Sequence, residues 1–464
     1  MAIGAPRMEA SVFRKNSRLK RSLEEHGATF ISYVLGAIQR ILPHVEQSNW
    51  IEGGWAPSGS VWTSSSRTAI RFTITFGDED GPKSRSLSAL IRRRGDANKT
   101  LDMREYDICR KIFERISEIA GDMNGRPLNE YSSETIAALR NSFDAFVVAK
   151  HLEEHFSLQM PVGPVFSALR QLSEQTYENK ALVFGCLLGG EPEFPDGVAA
   201  FPRPFLESKK YKALSDGYRT AYEVSNDGQI SGFVELDGYT RNSLTEKHFF
   251  PDWSESLARA SLTGRCAIAL TRQGDILVFD RGVLRFTYRY GKWQYWNHTH
   301  VVGLLRDRAK AQKVPKHVLG RVVGTIYRVA LDVSFRRSGG LFVVLHRKTA
   351  IHEIVRAGDA IGDPKRAPAD AEFDRVVGRH KMQSLPRSVA VELASLDGAV
   401  VLANSGEILA YGAVLQPKRA GHTSGAEGSR TKAAIGASNY CLAVKVSSDG
   451  DISVYHHGEK FISI

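Results

Sequence analysis

A helical pattern that runs straight into a buried strand constrains the fold of this chain more than any other feature. Apolar residues recur at helical spacing over residues 317–337, which predicts an amphipathic helix. Gly339 and Gly340 interrupt that pattern, and the apolar run at 341–345 is typical of a strand covered on both faces. Because helix–strand alternation continues beyond it, we expect a mixed sheet flanked by helices, an α/β fold in a chain that is α+β overall.

The other segments show both kinds of pattern. In the last third of the chain, helices are predicted over 350–357 and 388–395, with a strand over 399–403. Upstream, helical periodicity covers 27–46, 106–120 and 132–156, and strand patterns cover 68–76 and 181–188. Residues 51–66 are rich in Gly, Ser and Trp and predict a loop with a short strand, and the polar start of the chain is typical of a frayed terminus.

One short turn pattern recurs: a polar residue, Gly, a second polar residue and Ile. Its copies begin at Asp227, Gln273, Ser405 and Asp449. Strand-like residues flank each copy, as in a β-hairpin where Gly supplies a positive φ. The spacing is irregular, so these are separate hairpins and not the repeats of a solenoid or propeller.

The composition indicates a soluble globular protein of more than one domain. A length of 464 residues exceeds one ordinary core, and 42% apolar with 24% charged residues is usual for such proteins. The best membrane-span candidate, 30–42, is too short and contains Gln39 and Arg40. The cysteines are far apart and form no CxxC pair, which favours reduced buried thiols. We therefore expect a cytoplasmic protein with no membrane contact.

The basic stretch 304–315, which ends in Pro315, is the best candidate for a domain boundary. It divides the chain into an α+β region over 1–310, with a further split near 190, and a domain over 315–464. The net charge is +11, and residues 315–464 contain 20 Lys and Arg against 14 Asp and Glu. This excess suits a domain that receives a polyanion such as ATP, and it suits nucleic acid or a solvated basic surface equally.

Two motifs in the last third indicate chemistry. Asp397 stands where a predicted helix passes into a strand, and about thirty residues later a glycine-rich basic loop ends in residues 428–434. The guanidinium of Arg can bind two phosphate oxygens at once, and the ammonium of Lys acts as a point charge. The first turn of a helix adds backbone N–H groups that can bind an anion. The pair suits a nucleotide held at both ends. Taken singly, Asp397 is also typical of a turn and the basic segment of an exposed loop.

The order of these pieces resembles the diadenylate cyclase family, the DAC or DisA N-terminal domain. The resemblance runs from about His317 to the C-terminus and includes the Asp-Gly-Ala motif, the hairpin at 406–415, the phosphate motif and the final hairpin at 446–453. It implies an enzyme that joins two ATP into cyclic di-AMP with release of pyrophosphate, helped by Mg²⁺ or Mn²⁺. Each such domain holds one ATP, so the resemblance also implies at least a homodimer.

The resemblance implies roles for individual residues. It assigns catalysis to Asp397, Gly398 and Ala399, and it makes Asp397 the residue that holds the metal or orients the ribose hydroxyl. The residues that it assigns to phosphate binding are Gly428, Ser429, Arg430, Thr431, Lys432 and Ser447. The segment 416–427 either closes over the triphosphate or forms an insertion, and His422 within it either replaces a motif histidine in space or faces solvent.

The chain departs from the family pattern at several positions. Thr431 and Lys432 stand where the phosphate motif has His and Arg, Leu396 stands where a His precedes the Asp, and Ser448-Asp449 replaces a Glu-Glu pair. These changes motivate a second hypothesis, a DAC-like domain that binds a nucleotide and reports it without synthesis. A third is a basic protein that binds nucleic acid with strong salt dependence.

Residues 1–310 contain no motif that indicates a particular chemistry. By position they suit a sensor or regulatory region, with an unknown ligand, placed before a cyclase domain. Residues 281–300 combine aromatic and basic side chains, which could stack bases. Their alternation is more typical of an ordinary amphipathic strand, so nucleic acid is the less favoured partner.

Overall fold

The structure is a computed structural model. It describes residues 36–43, 45–47, 51–53, 61–63, 69–76, 85–93, 100–122, 133–177, 179–190, 200–203, 214–309, 314–418 and 428–464. The polar start of the chain, the first part of the helix expected over 27–46, and residues 419–427 with His422 lie outside these ranges.

Contacts divide the chain into two compact units. The first comprises Met1–Val234, Ile268–Val278 and Phe286–Tyr295. The second comprises Glu235–Ala267, Phe279–Arg285 and Trp296–Ile464. The stretch 304–315, which we expected to be a domain boundary, thus belongs to the second unit. The division into a regulatory region and a nucleotidyltransferase domain stays a prediction.

The first unit contains long helices and short strands. Its helices are α1 (Met103–Asp122), α2 (Ser133–His155) and α3 (Gly163–Ser173), and residues 36–41 are also helical. Its first strands are β1 (Val45–Gln47), β2 (Ile51–Gly53), β3 (Val61–Thr63), β4 (Ala69–Phe76) and β5 (Arg85–Arg93). A small pair follows, β6 (Thr176–Tyr177) with β7 (Lys180–Ala181).

The N-terminal sheet has the order β1-β5-β4-β3, and β2 also pairs with β5. The helix expected over 27–46 is wrong at its end, because residues 45–47 form strand β1. Val45 lies opposite Arg93 in an antiparallel pair. Pairing with a neighbouring strand therefore outweighs the local helical pattern there.

A seven-stranded sheet draws most of its residues from the first unit. Its strands are β8 (Phe184–Leu188), β9 (Thr220–Val224), β10 (Ile230–Glu235), β11 (Cys266–Leu270), β12 (Ile276–Asp280), β13 (Val283–Arg289) and β14 (Lys292–Tyr295). Their order is β10-β9-β8-β11-β12-β13-β14. Trp293 and Tyr295 are fully buried, so these aromatic side chains of the 281–300 stretch pack in the interior.

The second unit is built around a six-stranded sheet. Its helices are α4 (Glu255–Ser261), α5 (His298–Arg308), α6 (Lys316–Arg336), α7 (Ile351–Ile354), α8 (Pro368–Val377), α9 (Arg387–Ser395) and α10 (Ser429–Ala437). Its strands are β15 (Gly340–Leu345), β16 (Ala399–Ala403), β17 (Ile408–Ala413), β18 (Cys441–Val446), β19 (Ile452–His456) and β20 (Glu459–Ser463). Short 3₁₀ turns occupy Leu236–Arg241, Asp252–Ser254, Lys348–Ala350 and Met382–Ser384.

The six-stranded sheet is mixed, as the helix–strand alternation predicted. Its order is β17-β16-β15-β18-β19-β20. Strands β15 and β16 are parallel, with Phe342 opposite Val400. The remaining pairs are antiparallel, and Gly340 lies opposite Val446 in the pair β15–β18. The fold class is therefore α/β.

Helices cover both faces of this sheet. On one face, Val343 and Val401 join a buried cluster with residues of α7 and α10, including Ile354 and Ile435. Alternation along β15 directs Val344 to the opposite face, where α6 and α9 contact the strand. Burial of one strand residue on each face explains the continuous apolar run in the sequence.

The predicted helix over 317–337 is confirmed as α6. All of the apolar residues that defined its pattern are buried: Leu319, Val322, Val323, Ile326, Tyr327, Ala330 and Val333. The four glycine hairpins are also confirmed, as β9–β10, β11–β12, β16–β17 and β18–β19. The glycine of each has φ between +80 and +90°.

The helix predicted over 350–357 is shorter than expected. α7 ends at Ile354, and Val355 is extended with φ −99° and ψ 136°. Val355 bridges Leu415 in an antiparallel contact, so the backbone leaves the helix to pair with a neighbouring segment. Cys109, Cys186, Cys266 and Cys441 are buried free thiols, as predicted. Within the described ranges, no helix has the length and apolarity needed to cross a membrane.

Acidification is expected to destabilise the second unit through His298. This side chain is 1% exposed, and its Nε2 donates to the carbonyl oxygen of Leu284 at 2.7 Å while Nδ1 accepts from the hydroxyl of Tyr327 at 2.9 Å. Burial lowers the pKa of His298 to about 3. Between an ordinary value of about 6.5 and this pKa, the unfolded chain binds a proton that the folded chain does not. The free energy of unfolding should therefore fall as the pH drops through that window.

The measurement is urea unfolding at a series of pH values. His298→Gln should reduce the proton uptake on unfolding by up to about one proton. His456, whose pKa burial and neighbouring histidines lower to about 4, contributes to the same window. His317→Gln, at an exposed position at the start of α6, is the control and should leave the slope unchanged. An unaltered slope in His298→Gln would contradict the assignment.

Candidate functional site

Both sequence motifs lie at one edge of the six-stranded sheet. Because β15 and β16 are parallel, the residues before them, Gly339 and Gly398, lie at the same edge. β18 runs antiparallel to β15, so Ser447, which follows it, lies at this edge as well. The sheet topology thus gathers three loops that are distant in sequence.

Asp397 projects into solvent beside the phosphate motif. Its side chain is fully exposed, at 106% of the reference value, and its Oδ1 lies 3.6 Å from Nη2 of Arg430. This distance allows an electrostatic contact and exceeds that of a good hydrogen bond. The acid and the arginine that the resemblance assigns to the two ends of a nucleotide therefore lie side by side in one chain.

Arg430 lies flat against the start of β15. A Cβ at position 339 would lie 2.5 Å from Nη1 of Arg430 and 3.5 Å from the backbone nitrogen of Ser448, and Gly339 has φ +69°. Glycine at this position therefore leaves the space that the guanidinium occupies. The Nε atom of Arg430 is buried and has no hydrogen-bond partner among the residues that the structure describes.

Gly398 makes a close backbone contact that only glycine allows. It has φ +112°, and a Cβ there would lie 2.4 Å from the carbonyl carbon of Gly412 in β17. Ala399 is buried at the start of β16. The Asp-Gly-Ala motif thus has one exposed side chain, that of Asp397, and its other two residues fix the backbone below it.

The strand that contacts Gly398 is held by a buried polar network. The hydroxyl of Tyr411 in β17 donates to Oδ1 of Asp374 at 2.6 Å, and the guanidinium of Arg366 pairs with the same carboxylate at 2.5 Å. Burial, and then the bond to Asp374, raise the pKa of Tyr411 to about 12. Tyr411 therefore remains a donor at physiological pH and anchors the backbone next to Gly412.

The phosphate motif forms the first turn of α10. Gly428 is the N-cap, and its carbonyl oxygen accepts from the amides of Thr431 and Lys432 at 3.0 and 3.1 Å. Among the described residues no side chain caps this end, and the first turn contains no acidic residue. Arg430 and Lys432 instead add positive charge to the positive end of the helix, which is unfavourable unless an anion binds there.

A polar groove of about 750 Å³ lies beside this turn, between α10 and the strands β18–β20. Thr431, Lys445 and Ser447 line it, together with the acidic residues Asp449 and Asp451. Its size is in the range of about 300–1,000 Å³ that is usual for small-molecule sites. Within it, the ammonium of Lys445 donates to the hydroxyl of Thr431 at 2.8 Å.

Ser447 begins the tight turn between β18 and β19. Its amide donates to the carbonyl oxygen of Asp451 at 2.9 Å, and its hydroxyl accepts from the amide of Asp451 at 3.0 Å. Gly450 closes the turn with φ +90°. The turn holds Ser447 at one end of the groove.

The sequence-predicted residues fall into two groups. Asp397 and Arg430 meet at the sheet edge, whereas Thr431 and Ser447 line the groove. Ser429 and Lys432 are exposed on the first turn of α10 and are not among the groove-lining residues. Sequence reasoning missed Lys445, although a single lysine within the otherwise apolar strand β18 was a signal that could have found it.

The carboxylates fit a divalent metal only in part. Within the described ranges, no three His, Cys, Asp or Glu side chains are grouped so that they could hold a metal. Asp397 offers one exposed carboxylate beside a cation. Mg²⁺ is usually held by one or two carboxylates together with substrate phosphates, so Asp397 fits a metal that arrives with a nucleotide.

Comparison with known families identifies this part of the chain. Residues 328–460 match the sequence model of the DAC family, described as DisA bacterial checkpoint controller nucleotide-binding. The match begins within α6 and ends within β20, so it includes strands β15–β19, both motifs and every groove-lining residue except Ser463. The match confirms the resemblance to the DAC family for residues 328–460.

Two solved structures are similar to part of the chain. A hypothetical membrane spanning protein from Bacillus cereus is 22% identical over 30% of this chain and 63% of that chain, with a TM-score of 0.23. DacA from Staphylococcus aureus, determined as a double cysteine variant, is 21% identical over 30% of this chain and 86% of that chain, with a TM-score of 0.21. The chain therefore spans less than two thirds of the Bacillus protein. No curated protein sequence matches the chain.

Proposed function

We propose that residues 315–464 form a diadenylate cyclase that condenses two ATP into cyclic di-AMP and pyrophosphate. The 3′-hydroxyl of each ATP attacks the α-phosphate of the other, and each attack releases one pyrophosphate. Residues 1–310 regulate the domain in response to a ligand that their sequence does not name. The proposed setting is the cytoplasm.

The observation that supports this proposal most is the contact between the two motifs. Asp397 and Arg430 are 33 positions apart in sequence, and the sheet brings their side chains to 3.6 Å. Arg430 and the free amides at the start of α10 would bind phosphate oxygens and neutralise the charge that develops on them. Asp397 would orient the ribose hydroxyl or hold Mg²⁺ or Mn²⁺, which supplies further charge neutralisation when bound.

The exposure of Asp397 supports a face-to-face pair of domains. One domain offers one phosphate motif and one Asp-Gly-Ala motif, whereas the cyclic product needs two ATP molecules in opposite orientation. A fully exposed carboxylate beside the motif is available to a nucleotide held by a second copy. The proposed partner is therefore another copy of this chain, in a dimer or a larger assembly.

The second candidate is a DAC domain that binds a nucleotide without joining two. Thr431 and Lys432 replace the histidine and second arginine of the phosphate motif, and the turn after β18 has Ser448-Asp449 in place of two glutamates. Thr431 removes an ionisable side chain, Ser448 removes a carboxylate, and Lys432 keeps the positive charge but lacks the fork of donors of an arginine, while Arg430 stays in place. Such a domain would report nucleotide levels to the rest of the chain.

The experiment is incubation of the purified full chain with ATP and either Mn²⁺ or Mg²⁺, with products resolved by mass spectrometry. We expect cyclic di-AMP and pyrophosphate in a ratio of about one to two, as two attacks require. ATP binding without product at any metal concentration would favour the sensor. A chain that neither binds nor converts ATP would contradict both candidates.

A further inference from the structure

We infer that Lys445 binds the phosphate groups of the nucleotide, in place of the histidine that the phosphate motif lacks. The inference rests on the proposed function, because it names how the same site recognises a nucleoside polyphosphate. The motif has an uncharged residue, Thr431, at its centre. In the structure, the ammonium of Lys445, which belongs to strand β18, donates to the hydroxyl of Thr431.

The position of Lys445 is unusual for a lysine. Every other residue of β18 is buried, and Lys445 is its one partly exposed member. It lies between Leu341 of β15 and Ser453 of β19 in the middle of the sheet. A long cationic side chain at such a position loses rotamer freedom and hydration, which an apolar residue would avoid. A lysine at this position therefore depends on polar partners, one of which is Thr431.

The direction of the side chain links Lys445 to the motif. Alternation along β18 puts it on the same face as Ala443, under α10, and its Nζ donates to Oγ1 of Thr431 at 2.8 Å. Thr431 directly follows Arg430 in the first turn of the helix. One of the donors of the ammonium is directed at Thr431. The hydroxyl of Thr431 thus orients a cation toward the groove end where α10 begins.

The charge distribution in the groove restricts where an anion can lie. Asp449, Asp451 and Glu459 also line the groove, and each of them opposes a bound phosphate. Lys445 and Lys460 are the lysines among the lining residues, and only Lys445 contacts the phosphate motif in the described contacts. The polyphosphate of a nucleotide would therefore lie along the Thr431 side, between Lys445 and the first turn of α10.

The test measures binding of ATP and of adenosine, by calorimetry, to the full chain and its variants. Lys445→Met should weaken ATP binding about tenfold or more, since charge-assisted hydrogen bonds to phosphate are lost. Adenosine affinity should change by less than about threefold, because adenosine carries no phosphate. Lys445→Arg should retain ATP affinity within about threefold. Lys316→Met, at the exposed start of α6, removes the same charge at a position that does not line the groove and is the control.

The possible outcomes distinguish a failure of the role inferred for Lys445 from a failure of the proposed function. If Lys445→Met leaves ATP affinity unchanged, or weakens ATP and adenosine equally, Lys445 has a structural role only and the inference is wrong. If Lys445→Met does not fold, Lys445→Gln keeps a hydrogen-bond donor for Thr431 without the charge and decides the same comparison. If the unaltered chain binds no ATP, the proposed function itself fails and the inference fails with it.

Discussion

Replacing Asp397 with asparagine is expected to abolish formation of cyclic di-AMP while leaving the protein folded. The asparagine keeps the size of the side chain and removes the charge that would hold a metal or orient the ribose hydroxyl. Loss of one such electrostatic group typically lowers the rate by about 10²-fold or more. The side chain is fully exposed and its contact with Arg430 is 3.6 Å long, so stability should change by less than about 0.5 kcal/mol.

The measurement combines product quantification, ATP binding and thermal unfolding. ATP binding should persist in Asp397→Asn, because Arg430 and the start of α10 are unaltered. Glu407→Gln is a matched control, since Glu407 is also an exposed acid paired with a cation, Lys348, at the other end of the β16–β17 hairpin. That variant should retain full activity. Product formation at the unaltered rate in Asp397→Asn would remove Asp397 from the proposed mechanism.

The parts of the fold that depend on local rules could be predicted from the sequence. The apolar pattern of α6 and the glycine hairpins depend on helical periodicity and on a positive φ, and both can be seen in a short window of residues. The meeting of Asp397 with Arg430 could be expected only through the resemblance. This contact requires β15 and β16 to pair in parallel, and no local sequence pattern predicts that pairing.

The parts that depend on long-range pairing could not be predicted. Residues 45–47 look helical locally and form a strand because β5 lies beside them. α7 ends early because Val355 pairs with Leu415. The bond from Lys445 to Thr431 depends on the register of β18 under α10, and a shift of one residue would direct the lysine to the other face. Such contacts are properties of the assembled sheet.

A buried ion pair between α6 and α9 is another long-range contact, and its loss is expected to destabilise the second unit strongly. Asp332 of α6 is 3% exposed, and its carboxylate accepts from Nε and Nη2 of Arg387 at 2.7 and 2.9 Å. Arg387 is the first residue of α9, the helix that ends just before Asp397. The pair thus fixes the start of the helix that leads into the Asp-Gly-Ala motif.

The same pair binds a segment from further back in the chain. The amide of Asp252 donates to Asp332 at 2.7 Å, and Nη2 of Arg387 donates to the carbonyl oxygen of Phe250 at 2.6 Å. Burial raises the pKa of Asp332, although the bonds from Arg387 act in the opposite direction. The free-energy cost of desolvating the two groups therefore offsets a large part of their attraction. The pair matters chiefly because removal of one partner leaves the other buried without its main opposite charge.

Asp332→Ala is accordingly expected to lower the free energy of unfolding by about 3–5 kcal/mol, because it removes the buried carboxylate that binds both the guanidinium of Arg387 and the amide of Asp252. The guanidinium would keep its bond to the carbonyl oxygen of Phe250 and a longer contact, 3.5 Å, with the Asp252 carboxylate. Arg387→Met alone should also destabilise, by leaving a buried carboxylate, whereas the double variant should cost clearly less than the sum of the two. Glu392→Ala is the matched control. It removes an ion pair with Arg336 that bridges the same two helices at an exposed position, and such pairs contribute at most about 1 kcal/mol.

Urea unfolding of the unaltered chain, the two single variants and the double variant measures the coupling between Asp332 and Arg387. Glu392→Ala is measured beside them as the control. If the effects of Asp332→Ala and Arg387→Met simply add, the two side chains act independently and the pair does not join α6 to α9. If Glu392→Ala costs as much as Asp332→Ala, burial is not the cause of the difference. The expected non-additive result would mean that α6 and α9 are coupled through a pair that also binds residues 250–252. α9 is the helix that leads into the Asp-Gly-Ala motif.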